Sequence, residues 1–282
     1  MFSSAVFEGE YRSDVMEPGQ PFEKAEISRM VDRFFREGWL HLGNVLTRAE
    51  VAVLKDGMVR KYDDERLHGD EEGDHLRGLS LMRMFEYHQS FRDLMVREPL
   101  ASLAEAILGE DCHMMAMNAL RNERGEGITG WHVDQGPFFP CPDDVPRHDP
   151  RLRIPCYVFN ALYTLTDVER LEHGPTQVVP GSHYSGRRPE RGAEEPKFED
   201  EGPLSIFSKA GDVYIFHNQV WHRGALNQSD RVRYIATVAY SQRFVAQRFY
   251  PFLNYRMPDH VVEGASPRLL RFLGKHEKGG YG

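Results

Sequence analysis

The chain has 282 residues, with 43 acidic against 35 basic side chains and a formal net charge of −8. An acidic surface is not drawn to nucleic acid or to an anionic membrane, which argues against either as the main partner and leaves a small molecule as the expected one. The three cysteines, Cys112, Cys141 and Cys156, fall in no framework spacing. They read as buried small apolar residues of a cytoplasmic protein rather than as disulfide staples.

The stretch from Met1 to Gln20 carries Glu8, Glu10, Arg12 and Asp14 and no apolar h-region, so it reads as a flexible arm and not a signal peptide. No run of about 18 apolar residues is present, so no membrane span is expected. Residues 21–282 are taken as one domain, which is an ordinary size for a sandwich or barrel. Its parts are a helical region at about 21–110, a β core at about 111–245 and an extension at about 246–282. Nothing in the sequence fixes whether the protein is a monomer or a homo-oligomer.

In chain order, Ile27, Val31, Phe34 and Phe35 and then Val51, Val53, Leu54 and Met58 recur at helical spacing, with Trp39 to Leu42 as a short strand between the two helices. Thr47 and Glu50 make a capping box for the second helix. Residues 61–78, dense in Asp, Glu, Arg and Gly, read as an exposed loop or a solvated helix face. Phe91 to Leu108 is amphipathic, with Gly109 placed as its C-cap.

Beyond Gly109 the pattern changes. His113–Leu120 is apolar, and the runs Tyr157–Tyr163, Gln177–Val179, Leu204–Phe207, Asp212–His217 and Arg233–Tyr240 are short, β-compatible and separated by turn residues. Such a succession predicts a sandwich or barrel rather than βαβ units. Two charged, proline-bearing insertions, 140–153 and 184–203, are long enough to act as lids.

Chemistry concentrates in Trp131-His132-Val133-Asp134-Gln135 and in Gly211 to Ala225, which contains His222. Alternation in an extended segment puts His132 and Asp134 on one face, about 6.5 to 7 Å apart along the backbone, close enough to reach one ion. In a chain with 13 histidines an isolated H-x-D is weak evidence, and such a pair usually faces solvent. In the strand that begins at Arg233, that residue shares a face with Ile235 and Thr237. An inward arginine is costly unless it meets an anion. An internal carboxylate partner is implied, the plainer readings being an ordinary rim salt bridge or an inward pair with one of the chain's own acids.

Together with Glu172-His173-Gly174-Pro175-Thr176-Gln177-Val178-Val179-Pro180-Gly181-Ser182-His183, these segments resemble the phytanoyl-CoA dioxygenase family of Fe(II)/2-oxoglutarate-dependent oxygenases, over roughly residues 21–242. The resemblance implies a mainly β fold, a double-stranded β-helix (jelly roll, cupin-like) with N-terminal helices packed on one sheet. It also implies His132, Asp134 and His222 as Fe(II) ligands, and Arg233, eleven residues past His222, as the anchor of the distal carboxylate of 2-oxoglutarate, with Arg231 as its rival. Asn118 and Tyr163 are further candidate cosubstrate contacts, a strand-edge amide and a packed core ring being the plainer readings of the two. His183 and His217 are expected to be structural.

The activity implied is oxidation of an unactivated C–H bond of a small organic substrate, usually hydroxylation. It is coupled to O2 and to decarboxylation of 2-oxoglutarate to succinate, with ascorbate as an accessory reductant. Relatives that halogenate carry a small residue in place of the carboxylate, so Asp134 argues for hydroxylation. Phe138, Phe139 and Trp221 are candidate pocket walls. Two other readings fit the same residues: a non-catalytic metal- or 2-oxoglutarate-responsive sensor, and a cupin-like enzyme using another divalent metal.

Overall fold

In the order of the chain, the elements are β1 (Asp14–Val15), α1 (Lys24–Glu37), β2 (Trp39–Gly43), α2 (Arg48–His68), β3 (Leu76–Arg77), β4 (Ser80–Met82), α3 (Met84–Tyr87), α4 (Gln89–Met95), α5 (Leu100–Leu108), β5 (His113–Asn122), β6 (Val158–Thr164), β7 (Thr176–Val178), β8 (Leu204–Ile206), β9 (Val213–His217), β10 (His222–Gly224), β11 (Arg233–Ser241), α6 (Asp259–Val262) and α7 (Pro267–Phe272). The computed structural model describes residues 14–15, 17–68, 76–77, 80–249 and 255–277. Most of the expected flexible arm, and most of the charged stretch after residue 68, lie outside the described residues.

Local sequence explains where the helices start and stop. The capping box is present in both halves. The Glu50 N–H donates to Thr47 Oγ1 at 3.3 Å, and the Thr47 N–H donates to Glu50 Oε2 at 2.8 Å. Helix α2 then runs to His68, so the first part of the charged stretch is helix and not loop. The amphipathic run expected from Phe91 to Leu108 is two helices, because Pro99 interrupts it: proline lacks an N–H to donate and disfavours helical backbone at the residue before it.

Helix α1 ends where Gly38 turns left-handed, with φ +79°, and its N–H donates to the Phe34 carbonyl at 2.7 Å. A Cβ at Gly38 would lie 2.4 Å from Val220 Cγ2 and 2.6 Å from His183 Nδ1. Gly38→Ala therefore combines backbone strain with overpacking and should cost about 3 kcal/mol in denaturant unfolding. Unchanged stability would mean that Val220 and His183 give way freely.

The strands form an eight-stranded sheet, ordered β1-β2-β9-β6-β11-β5-β4-β3, and a three-stranded sheet, ordered β10-β7-β8. All strand pairs are antiparallel except β1 with β2. Alternation sorts each central strand of the large sheet between two cores. On one face Phe159, Ala161, Tyr163, Tyr234, Ala236 and Val238 join a core shared with Phe34, Phe91, Leu103, Leu269 and Phe272 from α1, α4, α5 and α7. On the other face Leu162, Tyr214, Phe216 and Ile235 meet Val178 and Ile206 of the small sheet. Helices thus cover one face and the small sheet covers the other. Helical residues nevertheless outnumber strand residues, so the expected mainly β character describes the core and not the whole chain.

Segments 140–153 and 184–203 do not hang free. The Cys141 N–H donates to the Gly186 carbonyl at 3.1 Å, Arg147 pairs with Glu199 at 2.9 Å, and the indole N–H of Trp131 donates to the Glu194 carbonyl at 3.0 Å. Each is therefore latched to the other or to the strand-like segment around His132. Among the described residues no helix is long and apolar enough to cross a membrane.

Candidate metal centre

His132 and His222 are joined by a reciprocal pair of backbone hydrogen bonds, each N–H donating to the other's carbonyl at 3.0 Å. This bridge brings together segments ninety positions apart and sets the two imidazole centroids 4.3 Å from each other. His222 opens β10, opposite Val178 of β7, so one of the two rings is fixed by the small sheet. Asp134 lies two residues beyond His132 and turns to the same side. Its Oδ1 is 3.4 Å from His222 Nε2 and 3.9 Å from His132 Nε2. The donor atoms of the three side chains all lie within 4.8 Å of one another.

The hydrogen bonds around the triad select which atoms stay free. His132 Nδ1 lies 2.8 Å from the Gly130 carbonyl and His222 Nδ1 lies 2.8 Å from the Val220 carbonyl. A carbonyl only accepts, so both rings carry the proton on Nδ1 and both Nε2 lone pairs point at the shared space. The Asn160 amide donates to Asp134 Oδ2, leaving Oδ1 for that space. Two lone pairs and one carboxylate oxygen converging on one point form a facial donor set for a divalent ion.

Electrostatics in the metal-free chain point the same way. Burial alone would raise Asp134, but His222, His132 and the Asn160 hydrogen bond outweigh it and hold the carboxyl below its ordinary value. Burial likewise opposes a charge on His222, and the neighbouring Asp134 overcomes it and raises the imidazole. His132 is lowered by burial and by His222.

Asn160 was not foreseen, although alternation in β6 places it on the inward face with Leu162. Asn160→Ala should let Asp134 rotate and weaken Co(II) binding, read by absorption titration, by about tenfold or more. An unchanged affinity would show that the backbone alone positions the carboxylate.

Arg233 opens β11 on the inward face and is only 5% exposed. Its Nε and Nη2 donate to Asn122 Oδ1 at 3.2 and 2.7 Å, and its Nη1 donates to the Gly174 carbonyl. Both acceptors are neutral, and among the described residues no carboxylate forms an ion pair with it. Burial pulls this guanidinium below its usual value, with only Tyr214 opposing. Beside it, Thr176 Oγ1 and Tyr214 Oη are hydrogen-bonded at 2.7 Å. The cation is therefore confined, dehydrated and short of an anion.

The space between His222 and Arg233 is kept open by Gly224. It lies two residues after His222 on the same face of β10, opposite Thr176, and a Cβ there would already sit 3.5 Å from Arg233 Nη2. Two strand residues span roughly 6.6 Å.

The other expected residues separate clearly. Asn118 is half-buried on the inward face of β5, opposite Thr237, whose hydroxyl donates to its carbonyl. Tyr163 is a correction. Alternation turns it to the helical face, where it is fully buried and its hydroxyl donates to the Leu94 carbonyl, so it cannot reach the triad side. Arg231 is exposed at the turn before β11. His183 donates through Nε2 to the Phe35 carbonyl and stacks near His217 beneath α1, with burial pushing it down to about 4, as a structural histidine should be.

Trp221, expected as a pocket wall, packs instead with Val133, Val179, Tyr184 and Phe198. It faces opposite to His222 because neighbouring strand residues alternate. Phe138 and Phe139 are half-buried against Tyr157.

An inward pair of imidazoles and one carboxylate, between an apolar sandwich and a buried arginine, make up the kind of donor set that mononuclear oxygen-activating metal centres use. The family model for phytanoyl-CoA dioxygenase (PhyH) matches residues 34–235, and the chain belongs to that family. Among curated relatives, it is 25% identical over 225 residues to Dioxygenase cdmD of Talaromyces verruculosus, covering 77% of this chain and 66% of that protein. It is 29% identical over 182 residues to the ectoine dioxygenase of Stutzerimonas stutzeri, covering 61% and 54%. The match thus spans about two thirds or less of these two relatives' lengths. In fold, it is similar to the epimerase SnoN from nogalamycin biosynthesis, solved in complex with Fe3+, alpha-ketoglutarate and nogalamycin RO, with TM-score 0.60, 20% identity and coverage of 84% of this chain and 94% of that one.

Proposed function

We propose that this chain is an Fe(II)/2-oxoglutarate-dependent dioxygenase that oxidises, by preference hydroxylates, a C–H bond of a small organic substrate while 2-oxoglutarate is decarboxylated to succinate. The observation that carries this reading is the pairing of a complete two-His, one-carboxylate donor set with a buried arginine that lacks an anionic partner among the described residues. His132, Asp134 and His222 hold the metal, and Arg233 holds the distal carboxylate of the cosubstrate, with the Thr176 and Tyr214 hydroxyls beside it. When bound, Fe(II) and 2-oxoglutarate supply the oxidising power for reaction with O2. The protein's part is geometric: Gly224 leaves the cosubstrate its channel, Asn160 keeps one carboxylate oxygen engaged so that Asp134 binds through the other, and the apolar inter-sheet core keeps water away.

The two sheets are read as the halves of a double-stranded β-helix, and residues 21–282 as one oxygenase domain. The unbroken core that joins Phe22, the sheet and Leu273 supports this. The three cysteines are free and buried, which fits a cytoplasmic location. A carboxylate ligand at Asp134 favours oxygen transfer over halogenation.

The decisive experiment is an aerobic assay of succinate release with Fe(II), 2-oxoglutarate and a compound panel. Stimulated succinate supports the enzyme. Tight 2-oxoglutarate binding without turnover of any compound would favour a sensor, and activity independent of 2-oxoglutarate would favour a cupin-like enzyme with another metal.

A further inference from the structure

The inward face of the large sheet continues past Asn160 in the direction away from Arg233, and its character there is distinctive. Ala239 is the register partner of Asn160, Ala116 is the partner of Ala239, and Val158 lies two residues before Asn160 on the same strand, so all three share the face that holds Asp134. They are buried and, together with Met115, form a small apolar cluster, against which Tyr157 and Val245 pack. Tyr157 in turn gathers other rings. Its centroid is 5.4 Å from Phe138 and 5.2 Å, edge-on, from Phe244.

Phe138 follows Asp134 by four residues, and its N–H is pinned by Gln219 Oε1 at 2.9 Å. Phe244 is 70% exposed, which is costly for a phenyl ring, and it meets the ring of Tyr157 edge-on. A continuous surface thus leads from solvent, over three aromatic rings, to a wall of two alanines and a valine beside the metal ligands.

We propose that this surface is the substrate site, and that it takes an uncharged molecule with a flat aromatic or cyclic apolar face, received by Phe244, Tyr157 and Phe138. The inference rests on the oxygenase reading and deepens it. The small wall residues leave room for a ring next to the reacting centre, and the aromatic rim offers faces and edges for stacking. The wall and rim side chains carry no charge, and the polar groups nearest them on the sheet are the uncharged Asn160, paired with Ala239, and Ser241, paired with Val158. A zwitterion entering here would lose its hydration with no charged side chain of the wall or rim to replace it. Charge is concentrated at the opposite, Arg233 end of the channel, which the dicarboxylate cosubstrate occupies.

The test is saturation-transfer NMR with 2-naphthol as probe and L-proline as zwitterionic control, on protein carrying 2-oxoglutarate and either Co(II) or, as a diamagnetic reference, Zn(II). The expected result is preferential binding of 2-naphthol, with proton relaxation enhanced by Co(II) and not by Zn(II), which places the probe beside the metal. Phe244→Ala, at an exposed position outside the core, should weaken the probe by about three- to tenfold, and Phe244→Tyr should retain it. Tighter binding of L-proline, an indifferent Phe244→Ala variant, or binding with no Co(II)-dependent relaxation would each overturn the proposal. If the wild-type protein bound neither Co(II) nor 2-oxoglutarate, the oxygenase reading would fall instead, while the Phe244 comparison would still decide the aromatic site.

Discussion

Asp134→Ala should abolish substrate-stimulated succinate release and lower Co(II) affinity by at least about a hundredfold, because even the partners of metal ligands are each worth about tenfold to a hundredfold. The direction follows from the electrostatics of the site. His222 Nε2 and Asp134 Oδ1 are 3.4 Å apart, and the carboxylate is the only acid in the triad. Removing it leaves two neutral imidazoles facing each other, a donor set that keeps soft-metal affinity but loses the charge that compensates a divalent ion. His132→Ala and His222→Ala should abolish turnover as well. The fold should survive Asp134→Ala, since this side chain contributes no apolar core and its one structural partner among the described residues besides the histidines is Asn160. A variant that unfolded would be recognised by its loss of cooperative melting. A folded variant with undiminished Co(II) binding would remove Asp134 from the metal site.

How much of this was legible in the sequence depended on the range of the signal. The H-x-D alternation and the strand beginning at Arg233 are two-residue periodicities, so the inward direction of His132, Asp134 and Arg233 could be read locally. The approach of His222 to His132 could not, because it depends on a pair of backbone hydrogen bonds across ninety residues. Only the likeness to a family supplied it. Tyr163 was misjudged for a different reason. It alternates with Leu162, and the sequence of β6 is apolar on both faces, so nothing local distinguishes the helical core from the inter-sheet core. Asn160 lies on that same strand and was overlooked, although a polar residue in such a run must find a partner on one side. The break at Pro99 is written in the sequence, because proline disfavours helical backbone at the residue before it.

The second large effect concerns the cosubstrate. Arg233→Ala should raise the apparent KM for 2-oxoglutarate by roughly a hundredfold, since truncating one member of a buried charge pair costs about 3 kcal/mol. Arg231→Ala, at the exposed turn, should leave it unchanged. The structure adds a stability signature that separates anchoring from mere packing. Among the described residues Arg233 is a buried cation with only Asn122 and Gly174 as hydrogen-bond acceptors, and burial lowers its pKa. Its removal deletes a desolvated charge together with those hydrogen bonds, two effects of opposite sign. The melting temperature of the ligand-free protein should therefore move little. What should disappear is the upward shift of Tm that 2-oxoglutarate gives the wild type by mass action. If Arg233→Ala still showed that shift, and Arg231→Ala lost it, the anchor would be the exposed arginine, and the buried one would be a core residue satisfied by its neutral neighbours alone.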